Sequence, residues 1–364
     1  MRNDRYYMMR AITLAKRAEG KTSPNPPVGC ILVKNKKIIA EGYHKKAGSS
    51  HAEVVALRRT SRAKGSTMYV TLEPCDHYGK TPPCTDAIIK SGLKKVVIAL
   101  KDPNPLNNGK GIRKLKSSGI RIKKEICKKE AAELYRPYIK FIREKIPFVS
   151  LKIAESLDGK IATSKGQSKW ISSPSSRQYV HKLRSKSDAV MVGINTVLKD
   201  DPTLIPKMSH SRSTKFPKRI IVDSHLKIPL NSRLVRSARS YPLLVATTQN
   251  PPQYKKKLLI EKGVEVVGSG SKGSKVNLRN LLRILGSMNI MHLLVEGGGK
   301  LAGSLMDEHL VDRAIFFIAP KIIGGKTAVS AVRGEGVKRL KNAVRLRNIK
   351  IKRFAEDVLI EGDL

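Results

Sequence analysis

The chain has 364 residues, a formal net charge of +43, 40% apolar and 5% aromatic residues. That length suits two domains better than one core. No apolar run approaches the ~20 residues that span a bilayer, and the stretch Met1-Arg2-Asn3-Asp4-Arg5-Tyr6-Tyr7 lacks the apolar centre of a signal peptide, so a cytoplasmic globular protein is expected and a membrane partner is not. The charge taken alone invites a nucleic-acid partner. Its distribution argues against a specific one: residues 1–150 hold 33 basic against 12 acidic side chains, and the remainder 39 against 17. A lysine bias running through the whole proteome accounts for so even a spread, and a phosphorylated small molecule would still feel the field.

Residues 4–19 place Met8, Ile12 and Ala15 at helical spacing. Residues 29–33 and 37–43 read as a hairpin around Lys34-Asn35-Lys36. A helix over 51–63, a strand over 67–72, a helix over 84–91 and a strand over 95–100 come next. The turn Asp102-Pro103-Asn104-Pro105, a helix over 111–119 and a strand from Ile120 complete the pattern of a three-layer α/β/α sandwich. A helix over 128–143 leads to Pro147, where the boundary is placed, giving domains 1–146 and 147–364. The second domain opens with a strand over 148–154 and continues with apolar runs at 189–192, 219–222, 242–247 and 292–295. Helical stretches between them predict an α/β domain with a largely parallel sheet. Periodicity does not separate this from a Rossmann domain.

The chemistry is concentrated in the first domain. His51 and Glu53, followed by Cys75 and Cys84, supply one imidazole, two thiols and a carboxylate two residues past the histidine. Three such ligands hold zinc with its fourth tetrahedral position open to water. The metal activates that water, and a glutamate that is not a ligand moves the protons of a hydrolytic deamination. The cysteines are separated by eight residues rather than the two of the usual deaminase signature. Ligation requires converging sulfurs, not a fixed gap, so the insertion becomes extra wall over the site. A helix starting at Cys84 would favour its thiolate. Glu73 is expected to orient the metal loop through backbone contacts. Cys30 reads as a buried strand residue, Cys127 has no evident role, and no disulfide framework is expected.

The strings PNPPVGC (24–30), HAEVVAL (51–57) and VTLEPCDHYGKTPPC (70–84) resemble the deaminase half of the bifunctional riboflavin-biosynthesis deaminase/reductases. SLDGKIA (156–162), GQSKWIS (166–172), the stretch 183–204 and LLVEGGGKLAGSL (293–305) extend the resemblance over nearly the whole chain. It implies a cytidine-deaminase-like sandwich followed by a dihydrofolate-reductase-like domain, with zinc and NADPH as cofactors and a phosphoribosyl pyrimidine as substrate. Asn25, His44, His77 and Lys80 would line the deaminase pocket. Ala154, Trp170, Thr196, Asp200, Gly298, Gly299, Lys300, Leu301, Ala302, Gly303 and Ser304 would meet NADPH. Ser168, Arg184, Leu204, Lys207 and Glu296 would meet the substrate, with Arg184 suited to phosphate by its planar fork. Lys207 stands where an arginine is expected. Lys152 and Asp200 are candidates for the reductase proton donor. A homo-oligomer is expected, of a size the sequence does not fix. The competing reading, a zinc-dependent nucleic-acid deaminase, leaves the second half unexplained.

Overall fold

The computed structural model describes residues 3–79, 81–207 and 216–364. The chain forms two compact units that part between Lys145 and Ile146. No helix among the described residues is long and apolar enough to cross a membrane.

In the first unit α1 (Asp4–Ala15), β1 (Gly29–Lys34), β2 (Lys37–Tyr43), α2 (Ala52–Leu57), β3 (Thr67–Leu72) and α3 (Cys84–Lys90) precede β4 (Lys95–Leu100), α4 (Lys110–Ser117), β5 (Arg121–Lys124) and α5 (Lys128–Glu144). The strands make one sheet in the order β2-β1-β3-β4-β5, antiparallel on both sides of β1 and parallel from β3 to β5. Leu32, Met68, Val70, Val96 and Ile98 meet Ala52, Ala56, Ile88, Ile112 and Leu115 in one core, placing α2, α3 and α4 on one face. Helices α1 and α5 cover the other, where Tyr69 packs on Tyr7 and Thr71 bonds Tyr135. The hairpin turns at Asn35 and Lys36, both at positive φ.

The helix expected over 51–63 stops at Leu57. Bonds from Arg59 N and Thr60 N reach back only three residues, and the Thr60 hydroxyl accepts from Arg62 N. A local side-chain turn there competes with the helical ladder.

The second unit runs β6 (Phe148–Ser156), β7 (Lys160–Ala162), α6 (Pro174–Ser185), β8 (Ala189–Gly193), α7 (Ile194–Asp200), β9 (Lys218–Val222), α8 (Arg233–Arg236), β10 (Leu243–Thr247), α9 (Gln253–Glu261) and β11 (Glu265–Gly268). It continues through β12 (Ser271–Lys272), β13 (Lys275–Val276), α10 (Leu278–Ser287), β14 (His292–Glu296), α11 (Gly299–Asp307), β15 (Arg313–Ala319), β16 (Val329–Ser330), β17 (Arg347–Phe354) and β18 (Asp357–Asp363). Nine strands form a sheet in the order β11-β10-β9-β8-β14-β6-β15-β18-β17. It is parallel from β11 to β15, but β18 and β17 run antiparallel. The sheet is thus largely parallel, as expected, with an antiparallel end. Strand β17 is exposed at all but its last residue, and the alternation Ile349-Lys350-Ile351-Lys352 is a strand signal that sequence reasoning missed. The order also differs from the 3-2-1-4-5-6 of a Rossmann domain, in keeping with the dihydrofolate-reductase-like expectation.

Strand β8 passes through α7 to β9 on one side, whereas its neighbour β14 passes through α11 to β15 on the other. Open α/β sheets bind ligands beyond the carboxyl ends of strands at such a reversal.

Candidate active sites

His51 immediately precedes α2, Cys75 lies past the end of β3, and Cys84 opens α3. Helix α2 can lie on β2 because Gly42 is there: a Cβ would sit 2.3 Å from the Ala52 carbonyl oxygen. His51 Nδ1 is 3.1 Å from Cys84 Sγ and 3.5 Å from Cys75 Sγ. One ligand atom from each residue falls within 4.8 Å of the others. Tetrahedral bonds of about 2.0–2.3 Å would separate ligand atoms by roughly 3.5 Å, so the donor set fits zinc. The first N–H of α3 points at Cys75 Sγ, 3.4 Å away, so the helix start favours that thiolate rather than the Cys84 thiolate expected from sequence. A bond from Cys84, aided by His51, lowers the Cys75 thiol, while the same bond and burial raise the Cys84 thiol.

Glu53, in the first turn of α2, is 4% exposed, and its Oε2 has no hydrogen-bond partner among the described residues. Burial and the negative Cys75 push its carboxyl up to about 7 against the pull of His51. This is a carboxyl poised to exchange protons near neutrality. Beside it, Asn25 Nδ2 lies 3.4 Å from His44 Nε2, His44 Nδ1 lies 3.3 Å from the Ser50 carbonyl, and the His44 ring stacks edge-on against His51 at 5.3 Å. Burial lowers His44, favouring the neutral ring that accepts from Asn25. His77 Nδ1 is buried without a partner among the described residues. Lys80 lies outside them.

The metal loop rests on a polar bed. Glu73 accepts from the backbone N–H groups of Asp102, Gly109 and Ile112 at 3.0–3.1 Å. Asp76 accepts from Thr85 Oγ1 and Lys114 Nζ. Asn107 donates to the Pro74 carbonyl and accepts from Asp76 N.

In the second unit Lys152 of β6 and Glu296 of β14 are register partners and share a face of the sheet. Arg184 of α6 grips Glu296 with Nε at 2.5 Å and Nη2 at 2.9 Å, the side chains being 16% and 9% exposed. Burial would raise the Glu296 carboxyl, but Arg184 more than offsets it and holds it below the usual value. Burial lowers Lys152 despite Glu296. His181 and Lys207 adjoin: Lys207 N donates to His181 Nδ1 at 3.1 Å, and burial and Arg184 lower the His181 imidazole. Sequence reasoning missed His181, although its place three residues before Arg184 on a predicted helix was a usable signal.

Ser168 Oγ bonds Asp200 Oδ1 at 3.1 Å, and Arg177 stacks on the exposed Trp170 ring at 4.4 Å. Leu204 sends its side chain into the core with Val190, Val197 and Ile221, so only its backbone is free for a ligand. Ala154 packs beside Phe317.

The glycine-rich stretch divides into two parts. Gly298 has φ +79°, which a side chain rarely adopts, and a Cβ there would face Thr196 Oγ1 at 3.4 Å. The turn after β14 and the start of α7 therefore converge, forming a cradle that fits a pyrophosphate near a helix start. Gly299 and Gly303 serve packing instead. A Cβ on them would lie 2.4 Å from the Ser330 oxygen and 1.3 Å from the Arg333 oxygen. Leu301 and Ala302 belong to the core; Lys300 is exposed and Ser304 half-buried.

The first unit carries a hydrolytic metal centre of deaminase type, and the second carries a dinucleotide crevice. Residues 1–100 match the family described as the cytidine and deoxycytidylate deaminase zinc-binding region, and residues 147–360 match the RibD C-terminal domain. The chain is 44% identical over 358 residues to riboflavin biosynthesis protein RibD of Aquifex aeolicus, covering 98% of this chain and 97% of that one. To RibD of Escherichia coli it is 38% identical over 376 residues, covering 98% of each. The structure of Acinetobacter baumannii RibD superposes with a TM-score of 0.89 at 36% identity over 99% of both chains. That of a Thermotoga maritima diaminohydroxyphosphoribosylaminopyrimidine deaminase/5-amino-6-(5-phosphoribosylamino)uracil reductase superposes with a TM-score of 0.86 at 35% identity, covering 99% of this chain and 98% of that one. The chain belongs to the RibD family of bifunctional riboflavin-biosynthesis enzymes, with a zinc-binding deaminase region and a reductase domain of the NADPH-using type.

Proposed function

We propose that residues 1–146 remove the exocyclic amine of 2,5-diamino-6-(5-phospho-ribosylamino)pyrimidin-4-one as ammonia. Residues 147–364 then reduce the ribosyl group of the product, giving 5-amino-6-(5-phospho-ribitylamino)uracil. The observation that carries this reading is the convergence of His51, Cys75 and Cys84 beside the unpartnered carboxylate oxygen of Glu53.

Zinc, when bound, supplies a polarised water, and NADPH supplies the reducing equivalents. His51, Cys75 and Cys84 hold the metal. Glu53 takes a proton at its free oxygen and returns it to the departing amine nitrogen. Asn25, His44 and His77 read the ring, and Lys80 meets the phosphate. In the second unit Gly298, Thr196, Trp170, Asp200 and the start of α11 around Lys300 and Ser304 hold NADPH. Glu296 orients the ribose. Arg184 Nη1, which makes no bond to the protein among the described residues, remains free for phosphate beside Lys207 and Ser168. Lys152 holds a proton on the substrate side of the sheet and is better placed to donate it than Asp200, which is engaged by Ser168.

The enzyme acts on soluble phosphorylated intermediates in the cytoplasm as a homo-oligomer. The exposed Ile349 and Ile351 of the edge strand β17 offer an apolar surface to a second copy. Supplying the diaminopyrimidine phosphate with and without NADPH tests the order of reaction. Ammonia should appear in both cases, and NADPH absorbance should fall only after ammonia release. Loss of NADPH absorbance without ammonia release would overturn the assignment.

A further inference from the structure

Cys75 enters the metal site from a loop that has no regular structure, so something other than a helix or strand must aim its sulfur. The residues flanking it are held by one side chain from elsewhere in the chain. Asn107 is fully buried. Its Nδ2 donates to the carbonyl of Pro74, one residue before Cys75, and its Oδ1 accepts from the N–H of Asp76, one residue after, at 3.3 and 3.1 Å. A single planar amide thus grips both neighbouring peptide groups and leaves little freedom of rotation about Cys75.

Asn107 is itself immobilised. Its second donor contact goes to Asp102 Oδ2 at 3.3 Å. The other oxygen of Asp102 accepts from Tyr138 and from Asn104 N at 3.0 and 2.9 Å. The Asn107 backbone bonds Asn104 and Lys110 in the tight turn that starts α4. The same turn approaches the Pro74 carbonyl so closely that a Cβ on Gly111 would lie 2.1 Å from its oxygen. The Asp-Pro-Asn-Pro turn and the start of α4 therefore form a template against which the metal loop is pressed.

We propose that Asn107 is a positioning residue of the deaminase site, fixing the direction of the Cys75 sulfur and through it the geometry of the bound metal. The proposal rests on the reading of His51, Cys75 and Cys84 as zinc ligands. Groups that orient a ligand without touching the metal commonly matter 10–100-fold for metal affinity.

The test uses the full-length chain loaded with zinc, and separately with cobalt, whose visible bands report thiolate geometry. Loss of the metal in Cys75→Ser first establishes the ligand; a parent protein that binds no zinc would refute that reading and not merely this inference. Asn107→Ala should then release zinc to a chelator on the order of ten times faster than the parent and shift the cobalt bands, with reductase turnover unchanged as a check on folding. Asn107→Asp, nearly the same shape, keeps the acceptor for Asp76 but turns a carboxylate toward Pro74 and Asp102. It should show the same two changes, and it carries the test if the alanine variant does not fold. Parent-like release rates and cobalt bands, whether or not the melting temperature falls, would overturn the proposal.

Discussion

The Arg184–Glu296 pair lends itself to a quantitative test, because geometry and burial together set what its loss must cost. Two charge-assisted bonds join the groups, and neither side chain is more than a sixth exposed. At an effective dielectric near 20, charges about 4 Å apart attract by about 4 kcal/mol. Removing one partner of such a pair leaves a buried, uncompensated charge and costs about 3–5 kcal/mol. Arg184→Met should therefore destabilise the second unit by that amount near neutral pH. The double variant Arg184→Met/Glu296→Gln should recover a large part of it.

The pH dependence gives a second, independent handle. In the parent, the Glu296 carboxyl lies below its ordinary value of 4.5, so its contribution is fully present above that pH and disappears as the pH falls through the depressed folded value. Without Arg184, burial dominates and the folded value rises above 4.5. The penalty then exists at neutral pH and fades as the carboxyl is protonated in acid. The gap between parent and variant should accordingly narrow from pH 8 to pH 4. Denaturant unfolding of the full chain measures this, with the first unit as internal reference. A gap under about 1 kcal/mol that ignores pH, as exposed pairs give, would refute the reasoning.

Glu53→Gln should retain one zinc per chain and lose deamination by a factor of about 10²–10⁴, with NADPH oxidation on the deaminated substrate intact; loss of the metal would make the residue structural. Gly303→Ala forces a Cβ onto the Arg333 carbonyl and should cost at least the ~1–3 kcal/mol of ordinary overpacking, seen in the melting of the second unit. Gly298→Ala meets chiefly the strain of a backbone conformation that side chains rarely adopt, about 1–3 kcal/mol, so its larger effect should be on KM for NADPH. Equal stability losses in the two glycine variants would count against dividing the motif. Glu73→Ala strands three backbone N–H groups and should cost several times the ~1–3 kcal/mol of a single unsatisfied donor; stability within about 1 kcal/mol of the parent would remove its structural role.

The proposed zinc triad was legible as a cluster because its chemistry is carried by rare residue types. His51, Cys75 and Cys84 announce themselves wherever the chain brings them. Most elements of the first unit were equally legible, since β1, β3 and β4 are short apolar runs bounded by turn residues. What stayed hidden has physical causes. Strand β17 is an exposed edge strand whose apolar alternation is confined to Ile349 and Ile351. Helix α2 ends where Thr60 offers the backbone a competing partner. Asn107 is an ordinary turn asparagine in sequence, and only the fold reveals that its amide spans Cys75. The glycines after Glu296 look alike on paper, yet Gly298 is set by backbone angle and Gly303 by a carbonyl that arrives thirty residues later.

The proposed reductase site draws its residues from positions as distant as Lys152, Arg184, Thr196 and Glu296, and the strand order explains why they meet. Strand β14 inserts late in the chain between β8 and β6. That insertion sets Glu296 beside Lys152 in register and brings the turn at Gly298 against Thr196 at the start of the helix after β8. The outward paths of α7 and α11 then leave the crevice open between them. Helix α6 closes the face that Lys152 and Glu296 share, and its last turn carries Arg184 onto the carboxylate. Charge pairing and cradle are therefore consequences of one topological event. A substitution that shifts β14 along its neighbours by a single residue would turn Glu296 to the opposite face and should abolish reduction while leaving ammonia release untouched.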